Sequence, residues 1–114
     1  MKKTSNNPSE EIEIKAANQY IERFASKLGL SQEQTARLLC CANESKSEFL
    51  DRTSYLMKCH KFATLLLSDK SLGFAWFLKP NTSELLKGET PIHFLLNGDN
   101  DDYRDLCAFL QSYL

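Results

Sequence analysis

The side chains best suited to chemistry in this chain are four thiols and two imidazoles: Cys40, Cys41, Cys59 and Cys107, with His60 and His93. Thiolates and imidazoles are the usual ligands of zinc, and a Cys–His pair can serve as nucleophile and base. Their spacing argues against both uses. No two cysteines stand in the C-x-x-C arrangement, and the neighbours in "CC" and "CH" cannot easily converge on one tetrahedral ion. On a helix, Cys59 and His60 point about 100° apart, which keeps a thiol and its would-be base from meeting. Cys40, Cys59 and Cys107 all sit in apolar helical patterns, where a reduced thiol packs as a small hydrophobe. The chain has no P-loop, no G-x-G-x-x-G, no H-E-x-x-H and no nucleophile elbow. The paired carboxylates Asp101 and Asp102 fall where a helix begins, and the helix dipole accounts for them. The expectation is a protein that is not an enzyme, with no catalytic residue, no metal and no cofactor.

Composition agrees with that reading. The chain has 114 residues, 42% of them hydrophobic and 25% charged, as in an ordinary globular domain. No run approaches the roughly 20 apolar residues of a membrane span. "MKKTSNNPSEEIEIK" at the start lacks the apolar core of a secretion signal, so a cytoplasmic location with no membrane partner is expected. The net charge of −1 argues against a general nucleic-acid binder. Its distribution is uneven: basic residues dominate from Arg23 to Lys61, and acidic ones from Glu84 onward. Two faces with different partners would produce such a pattern, as would ordinary solvated helices.

The elements that must carry these residues are helices throughout. Residues 1–8 are polar and expected to be disordered, and 9–44 form a helical N-terminal part. Residues 45–114 form a second helical region, the whole being an all-α bundle of about six helices with short loops. Ser9 is placed to cap the first helix, whose stripe of Ala17, Tyr20, Ile21, Phe24, Ala25 and Leu28 ends at Gly29. Ser31 with Gln34, and Ser45 with Glu48, are capping-box pairs opening the second and third helices. The buried stripe of the third includes Phe49, Leu56, Cys59, Ala63, Leu66 and Leu67. Asp69 caps a fourth helix carrying Leu72, Ala75, Trp76 and Phe77, which Pro80 brings to an end. Thr90 and Pro91 open a fifth as N-cap and N1, and Gly98 closes it. A sixth, capped by Asp99 or Asn100, has the stripe Tyr103, Leu106, Cys107, Leu110 and Leu114.

Two stretches go beyond packing. "LGLSQEQTARLLCC", residues 28–41, is similar to the opening of an Xre-type helix-turn-helix, yet only "ANESKSE" precedes the next long helix. The recognition helix is shortened or absorbed. From about Glu48 onward the chain resembles the toxin-binding domain of the MbcA/ParS/Xre antitoxin family. Trp76, Phe77, Pro80 and Asn81 match its W-[LIF]-x-x-P-N box. Gly88, Thr90, Pro91, Leu95 and Gly98 match the following G-x-[ST]-P element, and Leu106, Phe109 and Leu110 match a closing V-x-x-Y-L pattern. Departures are Cys107, where arginine is common, and Lys58, where a small residue is usual.

The resemblance implies the antitoxin of a type II toxin–antitoxin system, whose cognate partner is a RES-domain toxin that degrades NAD and whose mechanism is occlusion of that active site. Toxin contacts are expected from Asp101, Asp102, Tyr103, Arg104, Phe109, Gln111, Tyr113 and Leu114. The acidic last helix and the terminal carboxylate would enter a cleft shaped for NAD phosphates. Trp76 is expected mainly in the core and Asn81 in a turn. A homodimer through the N-terminal helices is also expected. The alternatives are a DNA-binding regulator using Gln32, Gln34, Arg37 and Lys46, whose DNA contact the shortened element puts in doubt, and a small interaction scaffold.

Overall fold

The computed structural model describes residues 8–39 and 45–114. Six helices follow one another: α1 (Pro8–Leu28), α2 (Gln32–Leu38), α3 (Lys46–Leu67), α4 (Lys70–Trp76), α5 (Pro91–Leu96) and α6 (Asn100–Gln111). The fold is all-α, with no strand among the described residues. α3 is the central post, packing most extensively on α4 and α6 and also on α1.

Local chemistry explains most of the boundaries. Helix α1 is described from Pro8 onward, residues 1–7 lying outside the described residues. Ser9 therefore lies inside the helix and does not cap it. At the other end Gly29 takes φ +72°, and the N–H groups of Gly29 and Leu30 donate to Ser26 and Ala25. That crossed pair is the Schellman closure, which needs the left-handed conformation glycine tolerates. The Ser31 hydroxyl accepts from Gln34 N–H while the Gln34 carbonyl accepts from Ser31 N–H, a complete capping box. Ser45 accepts from Glu48 N–H, Asp69 from Leu72 N–H and Thr90 from His93 N–H. Asp99, not Asn100, caps α6, in a second box closed by Asp102. Helix α4 stops at Trp76, well short of Pro80, because the chain tightens through Phe77 and Leu78, whose N–H groups donate to Phe74 and Ala75.

The core is one contiguous cluster. Ile21, Phe24, Ala25 and Leu28 of α1 meet Phe49, Leu56, Cys59 and Ala63 of α3 and Tyr103, Leu106 and Leu110 of α6. Each fully buried Phe or Leu contributes about 1.5–3 kcal/mol relative to exposure. Cys59 and Cys107 are both buried, while Cys40 and Cys41 lie outside the described residues. The expected α3 stripe holds as far as Ala63 and then surfaces: Leu66 is half-buried and Leu67 exposed. Leu72 and Leu114 are exposed as well. Arg52, an arginine inside the helical pattern, is buried with Thr53.

The segment between α4 and α5 folds on itself. Asn81 N–H donates to Glu89 O at 3.1 Å, and Gly88 N–H donates to Asn81 O at 2.7 Å. Asn81 Oδ1 accepts from Ser83 N–H at 2.9 Å, which makes it the turn residue expected. Gly88 has φ +90° and Lys87 φ +51°. Leu86 points inward, 1% exposed, and plugs the loop into the core. Ile92 N–H donates to Phe77 O at 3.0 Å, tying the start of α5 to the end of α4.

Candidate protein-interaction site

Where α3, α4, the 81–88 loop and α6 come together, the core opens to solvent. Ala63, Leu66 and Leu67 of α3, Trp76 of α4, Asn81 and Ser83 of the loop, and Phe109, Leu110 and Tyr113 line a groove of about 480 Å³. Its walls are mostly apolar, and two of its hydrophobic lining residues are exposed, Leu67 to 40% and Tyr113 to 65%. Leu114, next along the chain, is 60% exposed. Large apolar surface left in water is the usual mark of a binding face.

Backbone geometry holds the rim in place. After α6 the chain makes one more turn, with N–H groups of Ser112, Tyr113 and Leu114 donating to Ala108, Leu110 and Gln111. Ser112 Oγ also donates to Phe109 O at 2.6 Å. This turn brings the Tyr113 ring edge-on to Phe109, with centroids 5.3 Å apart. On the opposite wall Trp76 is half-buried and stands edge-on to Phe77 at 5.2 Å. Trp76 is therefore both a core residue and groove lining, a dual role its helical position did not separate.

The expected contact residues divide into three groups. Phe109, Gln111, Tyr113 and Leu114 are at or beside the groove end of α6, with Gln111 exposed. Asp101 and Arg104 are exposed at the other end of α6. Arg104 pairs with Asp101 at 3.2 Å and with Asp105 at 3.5 Å, so much of the local charge is already neutralised. The Asp102 carboxylate is spent on Asp99 N–H, which it accepts at 2.9 Å. Tyr103 is a correction: its ring is 0% exposed beneath Arg52 and offers no surface to a partner. The helix is amphipathic at positions 103, 106, 107 and 110, and the tyrosine falls on the inward stripe.

Of the family-like motif residues, Phe77, Pro91 and Leu95 are buried, Thr90 is the α5 N-cap, and Pro80 is exposed. Gly98 lies so close to the α6 cap that a Cβ there would come within 2.5 Å of Asp102 Oδ2. The motif residues thus mostly build the scaffold, with Trp76 and Asn81, and Phe109 and Leu110 of the closing pattern, on the groove.

Of the residues considered for DNA, Gln32, Gln34 and Arg37 lie on α2 and Lys46 begins α3. Gln34 is committed to its capping box, Lys46 pairs with Glu10 at 3.3 Å, and Arg37 donates to Asn97 Oδ1 at 3.5 Å. Gln32 is exposed at the first position of α2. No recognition helix stands between α2 and α3 among the described residues, and 40–44 lie outside them.

The chemical groups weighed at the outset are equally distributed. Cys59 turns toward α6, its thiol donating to Tyr103 O at 3.9 Å, and His60 turns toward α4, stacked on Phe74 at 4.1 Å. Burial raises the Cys59 thiol well above its ordinary range, and Cys107 adds to the effect. Cys107 is raised chiefly by burial as well. His93 is held at the surface by Glu89, 2.8 Å from Nδ1, and by Asn97. No group of three or more His, Cys, Asp or Glu among the described residues could hold a metal ion. No described helix is long and apolar enough to cross a membrane.

Sequence periodicity could not have found the groove, because its walls come from four separated segments. Leu67 is the nearest case: it fits an apolar helix pattern and yet lines the groove with its side chain exposed. No protein-family model, curated protein or solved structure matches the chain.

Proposed function

We propose that this chain is an antitoxin of a type II toxin–antitoxin pair, a binding protein that neutralises a RES-type, NAD-degrading toxin by covering its active-site cleft. The observation that carries the reading is the apolar groove at the end of α6, which Leu67 and Tyr113 line with exposed side chains, Leu114 following exposed at the next position. A protein that acts by occlusion needs a rigid face with a few large anchors, and Trp76, Phe109 and Tyr113 meet that description. The face lies on the part of the chain whose motifs resemble the toxin-binding domain. Orientation would come from the acidic start of α6, Asp101 and Asp105, although Arg104 mutes that charge.

The test is co-expression with the product of the neighbouring open reading frame, purification by a tag on one chain, and assay of NAD consumption. A stable complex, silent until this chain is removed, is the expected result. Removal of Phe109–Leu114 would also strip the buried Leu110, so it would confound binding with folding. The informative variants are Tyr113→Ala and Leu114→Ala, whose exposed side chains leave stability within about 0.5 kcal/mol of the parent. Both are expected to weaken the complex. Full NAD protection by the double variant, or no complex at all with the parent, refutes the reading.

A further inference from the structure

A second cavity lies apart from the groove and shares no residue with it. Lys27 in the last turn of α1, His60 of α3, and Lys70, Ser71 and Phe74 of α4 line a pocket of about 590 Å³. Its chemistry is one-sided. Two ammonium groups, an imidazole and a hydroxyl face it, and no carboxylate is among its lining residues. Neither lysine has an ion-pair partner among the described residues, whereas Lys46 and Arg104 do.

The back wall of the pocket is rigid. His60 is stacked on Phe74 at 4.1 Å and lies edge-on to Phe24 at 6.2 Å. Its Nε2 is buried without a hydrogen-bond partner, while the rest of the ring borders the pocket. Burial lowers the imidazole pKa, and the positive charge of Lys70 lowers it further. Like charges gathered on one concave surface repel each other in the free protein, and an anion relieves that cost.

We propose that this pocket binds a small phosphorylated ligand, with Lys27 and Lys70 holding the phosphate, Ser71 donating to it and Phe74 covering an apolar organic part. A phosphate dianion offsets both lysine charges and has acceptors to spare for the hydroxyl. The pocket is larger than a phosphate needs, which is why the ligand carries an organic group. The pocket does not overlap the groove: α4 gives Trp76 to the groove and Lys70, Ser71 and Phe74 to the pocket.

The chain has two histidines, so ring NMR of the intact protein reads the site directly. The probes are AMP, inorganic phosphate and adenosine at millimolar concentration. AMP is expected to shift the His60 ring resonances and leave those of His93, its internal control, in place. Inorganic phosphate should do so more weakly and adenosine not at all. Lys27→Gln and Lys70→Gln alter exposed side chains, so thermal melting should be unchanged while AMP affinity falls about tenfold for each. Equal affinity for inorganic phosphate and AMP would uphold the phosphate site and overturn the organic part. If neither phosphate nor AMP moves His60, if adenosine binds as well as AMP, or if the two lysine variants bind AMP as the parent does, the proposal fails.

Discussion

The guanidinium carbon of Arg52 sits 4.7 Å above the ring centroid of Tyr103, which joins a buried cation on α3 to a fully buried aromatic on α6. The same guanidinium donates from Nε to Asn100 Oδ1 at 2.9 Å and from NH1 to Arg37 O at 3.3 Å. Asn100 in turn donates to Glu48 O at 2.8 Å. One side chain therefore ties the end of α2 and the start of α6 to the middle of the bundle. Replacing it leaves the Asn100 and Arg37 acceptors without this donor and opens space above Tyr103. Arg52→Ala is expected to cost about 2–4 kcal/mol in urea unfolding. A loss below about 0.5 kcal/mol would show that the hub is not structural.

Gly73 marks the closest approach of α4 to α3. A Cβ at this position would lie 2.5 Å from Thr64 Oγ1 and 3.1 Å from Thr64 Cα. The hydroxyl can rotate away, but the backbone atom cannot. Gly73→Ala should therefore destabilise by about 1–3 kcal/mol, although alanine is the better helix former. Because α4 presents Trp76, the displaced helix should also lower affinity at the groove. Thermal melting of the variant checks the first expectation, and complex formation with the proposed partner checks the second.

His60 makes stability depend on pH, with a definite sign. Its folded pKa lies below the ordinary 6.5, through burial first and Lys70 second. Well above pH 6.5, by about a unit or more, both states are neutral and the residue contributes no slope. As pH falls from there the unfolded chain takes up the proton first, so stability drops until the folded pKa is passed. Urea midpoints measured between pH 7.5 and 5.5 (values chosen about the histidine range) should fall on acidification. His60→Phe should flatten the slope, and an equal slope in that variant would count against His60 as its source.

The thiols offer a reactivity test. Cys59 and Cys107 are buried and raised, and thiolate is the reacting form. In a variant with Cys40 and Cys41 replaced by serine, a disulfide reagent should label the native protein far more slowly than the urea-unfolded one. Rapid labelling of either remaining cysteine in the native state would contradict the packing described.

Much of this architecture can be read directly from residue order. Ser31 with Gln34, Asp69, Thr90–Pro91 and Gly29 act through hydrogen bonds or dihedral angles only a few residues long, so the local sequence contains the whole cause. The stripe 103/106/107/110 is likewise a matter of period. Arg52 was legible only as one more positive charge, because its burial depends on Asn100 and Arg37, which are distant in sequence. Leu86 gave no signal because a coiled loop has no period to violate. Two groove residues, Phe109 and Tyr113, were expected as contact residues, but the groove itself was not legible. Its opposite wall gave no sign, because Leu67 and Trp76 fit a core pattern equally well, and only the path of α4 decides where each one faces.

The clasp at Asn81 has a consequence for how this family of shapes could diversify. Two main-chain bonds, to Gly88 and Glu89, shut the loop at its neck, and Leu86 anchors it from within. Thr82 and Glu84 stand outside that closure, exposed. Side chains at those two places can be exchanged without disturbing helix packing, so the loop behaves as an interchangeable cassette beside the groove. The sequence can drift there while the scaffold stays fixed.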